Sequence, residues 1–139
     1  MTETLPKALA GWHEVAASRD PARLDALLAD EVVFESPVVH TPQRGKAVTT
    51  KYLAAALAVL GGPDFRYVGE WSGERSGVLE FMTSVDGITV NGVDMIGWNE
   101  DGRIVSFKVM VRPLKGMEVL RARMAAMLGF PAAGGARAG

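Results

Sequence analysis

The sequence contains no cysteine and only two histidines. The absence of cysteine excludes disulfides, thiolate catalysis and sulfur-bound zinc, and it fits a reducing compartment, so we expect a cytoplasmic protein. Two histidines with no acidic cluster predict no metal site, and no residue pattern indicates a cofactor.

Neither sign of charge predominates, since 15 Lys+Arg stand against 16 Asp+Glu. A nucleic-acid-binding surface would need a basic stripe, which the sequence lacks. The longest apolar stretch, Leu53 to Leu60, is too short to span a bilayer, and the segment from Met1 to Leu5 lacks the pattern of a signal peptide. We therefore predict neither a nucleic-acid partner nor a membrane partner.

Apolar residues make up 48% of the 139 residues, which is enough for the core of one domain. We predict a single α+β domain over residues 1–128. The remainder, residues 129–139, is a Gly/Ala-rich tail with little to bury, and it is predicted to be disordered.

Helical spacing of apolar residues, with Gly and Pro as stop signals, predicts the helices of this domain. The predicted helices are Thr4–Arg19, a short helix after Asp20-Pro21, Gly45–Leu60 and Leu114–Leu128. Runs rich in β-branched and aromatic residues between turn signals predict the strands. The predicted strands are Val32–Ser36, Phe65–Trp71, Val78–Val85, Ile88–Trp98 and Arg103–Arg112. The last four form an antiparallel meander, and the order of elements indicates an α+β fold.

One carboxylate interrupts an otherwise apolar strand face. Side chains alternate across a strand, so Asp94 shares a face with Val90 and Ile96. That face adjoins the predicted inner face of the next strand, which includes Val105 and Phe107. A buried carboxylate without a partner is unfavourable and tends to take up a proton. Asp94 is therefore either a structural acceptor, paired with an Arg, a Lys or the backbone, or a functional acid in a pocket.

Three stretches, taken together and in order, resemble the nuclear transport factor 2-like superfamily. They are Leu27 to Val38, Thr41 to Lys46, and Val93 through Asp101 to Ile104. The resemblance covers roughly Leu5 to Arg112 and is strongest to the ketosteroid-isomerase-like and SnoaL-like branch. It implies a cystatin-like cone, in which a curved antiparallel sheet wraps around N-terminal helices and a deep pocket, and it leaves the C-terminal helix as an addition.

Ketosteroid isomerases use a carboxylate base together with an oxyanion hole made of a tyrosine and a protonated aspartate. The resemblance places Asp94 at the position of the protonated aspartate, Ser36 at the position of the base, before Pro37, and Trp12 at the position of the tyrosine. A serine cannot act as the carboxylate base, and an indole N–H is only a donor. One of three functional positions therefore matches, which argues against steroid isomerisation.

The candidate catalytic residues are Asp94 and His40. His40 follows the first strand, near the expected pocket mouth; it is either a solvated loop residue or a substitute base, because the histidine pKa suits proton transfer. His13 is expected to point away from the pocket. The candidate substrate-binding residues are Trp12, Phe34, Ser36, Tyr52, Phe81, Ile96, Trp98, Phe107 and Val109.

Three functions remain open from the sequence. The chain is an isomerase, cyclase or hydratase acting on a lipophilic substrate, a non-catalytic protein that binds an apolar small molecule with one polar handle, or an interaction domain. Val93, Met95 and Met110 occupy the predicted outer face of the sheet, between Lys108 and Arg112. An exposed apolar patch often marks an interface, so we also predict a homodimer.

Overall fold

The computed structural model describes residues 5–129, so the predicted tail lies outside the described residues from residue 130 onward. Helices are α1 (Lys7–Ser18), α2 (Leu24–Leu27), α3 (Lys46–Leu60) and α4 (Leu114–Leu128), with a 3₁₀ turn at Pro21–Arg23. Strands are β1 (Leu28–Glu35), β2 (Gln43–Arg44), β3 (Arg66–Ser72), β4 (Ser76–Val85), β5 (Ile88–Trp98) and β6 (Ile104–Arg112). Strand β1 starts earlier than the predicted Val32–Ser36, and β2 is not among the predicted strands.

The six strands form one curved, open sheet in the order β2-β1-β6-β5-β4-β3. The predicted meander from β3 to β6 is antiparallel throughout. Strand β1, however, runs parallel to β6, so the sheet is mixed. The cystatin-like α+β fold class and the additional C-terminal helix are confirmed.

The concave face of the sheet packs on the helices and forms the core. Burial alternates along β4 and β5 as the sequence predicts, with Leu79, Phe81, Val90, Asp94 and Ile96 on the inner face. The prediction fails at the start of β6, where a bulge opposite Gly97 and Trp98 shifts the register. Ile104 is therefore fully buried, and Val105, which was predicted to face inward, is only partly buried.

Helix α4 closes one end of the concave face by packing on α3, β5 and β6. Its buried residues include Leu120 and Met124. No helix among residues 5–129 is long and apolar enough to cross a membrane.

Candidate functional site

A largely apolar cavity lies between the concave face of the sheet and helices α1, α3 and α4. The space free of protein atoms in and around it, with the open solvent at its mouth included, is about 660 Å³. The cavity is lined by Trp12, Ala16, Phe34, Ser36, Pro37, Val38, Leu53, Ala56, Leu57, Leu60, Gly61, Phe65, Tyr67, Phe81, Asp94, Phe107, Val109, Leu120 and Met124.

Asp94 lies in the middle of the sheet wall of this cavity. It is opposite Leu79 of β4 and Val109 of β6 in the strand register, and it is 6% exposed. Among the lining residues it is the only carboxylic acid. Because the neighbouring strands are apolar on both sides, the carboxyl group lacks the solvation that its charged form requires.

A chain of hydrogen bonds connects α1, β3 and β5 at Asp94. The Trp12 indole Nε1 donates to the Tyr67 hydroxyl over 2.8 Å, and that hydroxyl donates to Asp94 Oδ2 over 2.7 Å. Trp12 is fixed in turn by Phe107, whose ring packs edge-on at a centroid distance of 4.7 Å. The Tyr67 ring is packed edge-on by Phe65 at 5.0 Å. These contacts hold the carboxyl group in one orientation.

The environment shifts the pKa values of both acidic groups in this chain. Burial raises the pKa of Asp94 to about 7, against smaller opposing effects of the Tyr67 hydroxyl that donates to it and of the nearby Trp12 indole. Burial, and then the neighbouring Asp94, raise the pKa of Tyr67 far above its ordinary value. Tyr67 therefore remains a hydroxyl donor, whereas Asp94 exchanges its proton near neutral pH. A protonated carboxyl group can donate a hydrogen bond, and an ionised one only accepts.

The structure brings six of the predicted site residues other than Asp94 to the cavity wall: Trp12, Phe34, Ser36, Phe81, Phe107 and Val109. Three predicted binding residues are not among the lining residues, although all three are buried. Tyr52 packs against the Phe34 ring from α3, and Ile96 and Trp98 lie farther along β5, toward the turn that leads to β6. Their predicted contact with a ligand has no support in this geometry.

His40, the candidate base, and Ser36, which stands at the position of the family's base, are placed differently. His40 is exposed and is not among the lining residues, because the segment after β1 carries it toward solvent. Ser36 does line the cavity, but its Oγ accepts a hydrogen bond from the Val38 backbone N–H over 3.1 Å. The structure thus gives no geometric support for His40 as a base.

Sequence reasoning missed Tyr67, the direct partner of Asp94. It also allowed for an Arg or Lys partner, whereas the structure places a neutral phenol there. Phe65 and Tyr67 are two aromatic residues two positions apart, and both line the cavity. That spacing was the available signal, because residues two apart on a strand share a face.

No group of three or more His, Asp or Glu residues within 5–129 is arranged to hold a metal ion. The arrangement around Asp94 instead suits a single carboxyl group that acts as a hydrogen-bond donor or an acid. Neutral side chains hold this group, and it faces the apolar cavity.

Comparison with known proteins identifies the fold and the family. Residues 9–107 match the SnoaL-like domain family. No protein of curated function matches the sequence. Among solved structures, a steroid delta-isomerase from Pseudomonas aeruginosa is 37% identical, with a TM-score of 0.84 and coverage of 93% of this chain and 96% of the other.

Two further solved structures share this fold. A protein with a cystatin-like fold from Silicibacter pomeroyi is 32% identical, with a TM-score of 0.82 and coverage of 88% of this chain and 85% of its own. The epoxide hydrolase/cyclase-like enzyme SalBIII, which acts in pyran ring formation in salinomycin, shares the fold at 15% identity, with a TM-score of 0.63 and coverage of 78% and 90%. The family match over residues 9–107 and these similarities together show that the chain belongs to the SnoaL-like domain family of the nuclear transport factor 2-like fold.

Proposed function

We propose that this protein binds a small apolar molecule that carries one hydrogen-bond acceptor, such as a ketone. The proposal is carried by a single observation: the Trp12–Tyr67–Asp94 chain ends at the wall of an otherwise apolar cavity. The apolar body of the ligand lies against aromatic and aliphatic side chains, and Asp94 binds the acceptor.

The hydrogen-bond chain suits this role because it fixes which atoms are available. Asp94 Oδ2 accepts from Tyr67, so a proton on the carboxyl group resides on Oδ1 and is donated to the ligand. A ligand that excludes water from the cavity strengthens this bond by lowering the local dielectric. The relative named as a steroid delta-isomerase supports a ligand of the same kind, apolar with an oxygen handle.

Binding can be tested directly, without knowing the natural ligand. Organic extraction of the purified protein followed by mass spectrometry should find an apolar oxygen-containing molecule, and calorimetry should detect binding of a neutral ketone such as 2-decanone. Since the donor is protonated Asp94, whose pKa is about 7, affinity should fall as pH rises through 7. The loss should approach about tenfold per pH unit above the pKa.

Two variants separate the donor from the shape of the site. Asp94→Asn retains a donor, so ketone binding should weaken only modestly and lose its dependence on pH. Asp94→Ala removes the donor and should weaken binding by about tenfold or more. Binding by the native protein that is independent of pH, or unaffected by Asp94→Ala, would contradict the proposal.

A second candidate is enzymatic, namely isomerase, cyclase or hydratase chemistry with Asp94 as the acid. The 37% identity with a steroid delta-isomerase favours it. Steroid isomerisation itself requires a base, and we expect only background turnover of a 5-ene-3-ketosteroid, because Ser36 stands at that position and its Oγ is engaged by Val38. Robust turnover in a steady-state assay of the unmodified protein would overturn this expectation. Ser36→Asp alone should not give full activity, because Trp12 supplies no phenolic donor and the Tyr67 hydroxyl already donates to Asp94.

A further inference from the structure

A second groove opens on the outer side of Tyr67, directly beside the cavity. This feature, termed here the arginine groove, is lined by His13, Ala16, Ala17, Arg19, Gly61, Gly62, Pro63, Phe65, Arg66 and Tyr67. Four of these residues, Ala16, Gly61, Phe65 and Tyr67, also line the cavity. The cavity and the groove therefore adjoin along these four residues.

The ionisable lining of the arginine groove is basic. It contains Arg19, Arg66 and His13, and none of its lining residues is a carboxylate. His13 Nε2 lies 2.9 Å from Glu70 Oε1, and Arg66 Nη1 donates to the Asp64 backbone carbonyl over 3.0 Å. Within residues 5–129, the Arg19 guanidinium forms no ion pair with a carboxylate. The groove thus holds two guanidinium groups, those of Arg19 and Arg66, that form no ion pair with a carboxylate among residues 5–129.

The backbone and packing of Arg19 position its side chain in this groove. Arg19 ends α1 with φ +56°, a left-handed conformation usually taken by glycine at this position. Its stem lies across the end of α3, where a Cβ on Gly61 would be only 3.0 Å from Arg19 Cδ. A side chain at residue 61 would also meet the Leu57 carbonyl oxygen, so glycine suits both contacts.

We propose that the arginine groove is an anion subsite, which binds a carboxylate at the far end of the ligand whose apolar body lies in the cavity. The inference rests on the proposed function and narrows it to an amphipathic oxo-acid, with its ketone at Asp94 and its carboxylate at Arg19 and Arg66. Arginine suits this task because its planar fork of N–H donors matches the two oxygens of a carboxylate.

The test uses two probes that differ at one end, 2-decanone and 9-oxodecanoate. Calorimetry of the full chain should find the oxo-acid bound about tenfold more tightly than the ketone. Added sodium chloride should weaken binding of the oxo-acid alone, because the groove is open to solvent. Arg19→Gln and Arg66→Gln should each remove most of this preference and leave the affinity for 2-decanone unchanged.

Arg103→Gln is the matched control, because it removes the same charge from the exposed turn before β6. If Arg19 only stabilises the end of α3, Arg19→Gln will lower the melting temperature and leave the ratio of the two affinities intact, and the subsite is then wrong. Equal affinity of the native protein for both probes would also overturn it. If neither probe binds, the proposed function itself fails, and the subsite fails with it.

Discussion

The neighbours of Asp94 shift its pKa in opposite directions. Apolar strands on both sides favour the neutral acid, whereas the Tyr67 hydroxyl and the Trp12 indole favour the carboxylate. The balance places the pKa at about 7, so both protonation states are populated under neutral conditions. A carbonyl acceptor in the cavity would select the protonated state, because only that state can donate to it. The protonation state of Asp94 can therefore change with the molecule that occupies the cavity.

Asp94→Asn should change how stability depends on pH. With a folded pKa of about 7 against an unfolded value near 3.8, the native protein keeps a proton that the unfolded chain releases. Stability from this group is complete below the unfolded pKa and is lost as pH rises toward 7, by an amount on the order of 4 kcal/mol. Asparagine removes that loss, so the variant should equal or exceed the native protein in stability at pH 7.

Urea unfolding of both proteins between pH 4.5 and about pH 8 measures this difference. Asp101→Asn is the control, because Asp101 is an exposed carboxylate in the turn between β5 and β6. A parallel pH profile for the native and Asp94→Asn proteins, together with strong destabilisation by asparagine, would show that Asp94 is an ionised structural acceptor.

Tyr67→Phe should affect both neighbours of the lost hydroxyl. Asp94 loses a donor that lowers its pKa, so that pKa should rise further. Trp12 Nε1 loses its acceptor in a buried site, which should cost about 1–3 kcal/mol of unfolding free energy. Carboxyl NMR titration and urea unfolding measure the two effects.

Tyr52→Phe provides the matched control for that substitution. Tyr52 is a buried tyrosine, whereas Tyr67 is partly buried, and no residue among 5–129 forms a hydrogen bond with the Tyr52 hydroxyl. It should leave the Asp94 titration unchanged. An unshifted midpoint in Tyr67→Phe would mean that the phenol does not control the acid.

The sequence identifies Asp94 but not Tyr67, and the reason is physical. An acid stands out on an apolar face because burying it is unfavourable, and that contrast is visible in one strand alone. Tyr67 lies on β3, an edge strand with mostly exposed or partly exposed residues and a register shift just after it. Alternation is weak on such a strand, and the contact with Asp94 depends on how β3, β4 and β5 align. The exposure of His40 depends likewise on a loop path that residue type does not determine.

At the scale of elements, the bulge between β5 and β6 decides which residue enters the core. The register skips Val105, which leaves Ile104 opposite Trp98 and Ser106 opposite Gly97. Strict alternation, as used on the sequence, cannot detect an inserted residue. A pattern of neighbouring β-branched residues, Ile104 and Val105, fits either register.

Alanine substitutions at these two positions should therefore differ. Ile104→Ala removes a fully buried side chain and should cost about 2–4 kcal/mol. Val105→Ala, at a partly exposed position, should cost about 1 kcal/mol or less. Urea unfolding compares the two variants, and a larger loss for Val105→Ala would mean that the bulge is misplaced.

Local patterns predict the meander well, because β3 to β6 are consecutive and joined by short turns. The pairing of β1 with β6 is different, since these strands are far apart in the chain and run parallel. Their adjacency follows from the three-dimensional packing of helices and sheet, which no short segment encodes. The two-residue β2, paired with β1 at Val33 and Phe34, is likewise too short to produce a periodic signal.

At the scale of the whole molecule, the convex face of the sheet carries exposed apolar side chains. Met110 is 49% exposed there, and Val93 and Met95 are partly exposed beside it. Val93 pairs with Met110 in the register, and Met95 pairs with Lys108, so the apolar residues form one patch rather than scattered contacts. A contiguous patch of this kind is typical of an interface.

We therefore expect a homodimer that forms through this convex face, and light scattering at micromolar concentration should show twice the monomer mass. Met110→Lys adds a cation between Lys108 and Arg112, and a two-fold interface brings such like charges together. It should raise the dimer dissociation constant by at least about tenfold. Leu114→Lys is the control, because Leu114 is 73% exposed at the start of α4, outside the patch. A native protein that is monomeric at micromolar concentration would refute the interface, and equal weakening by both variants would place the contact elsewhere.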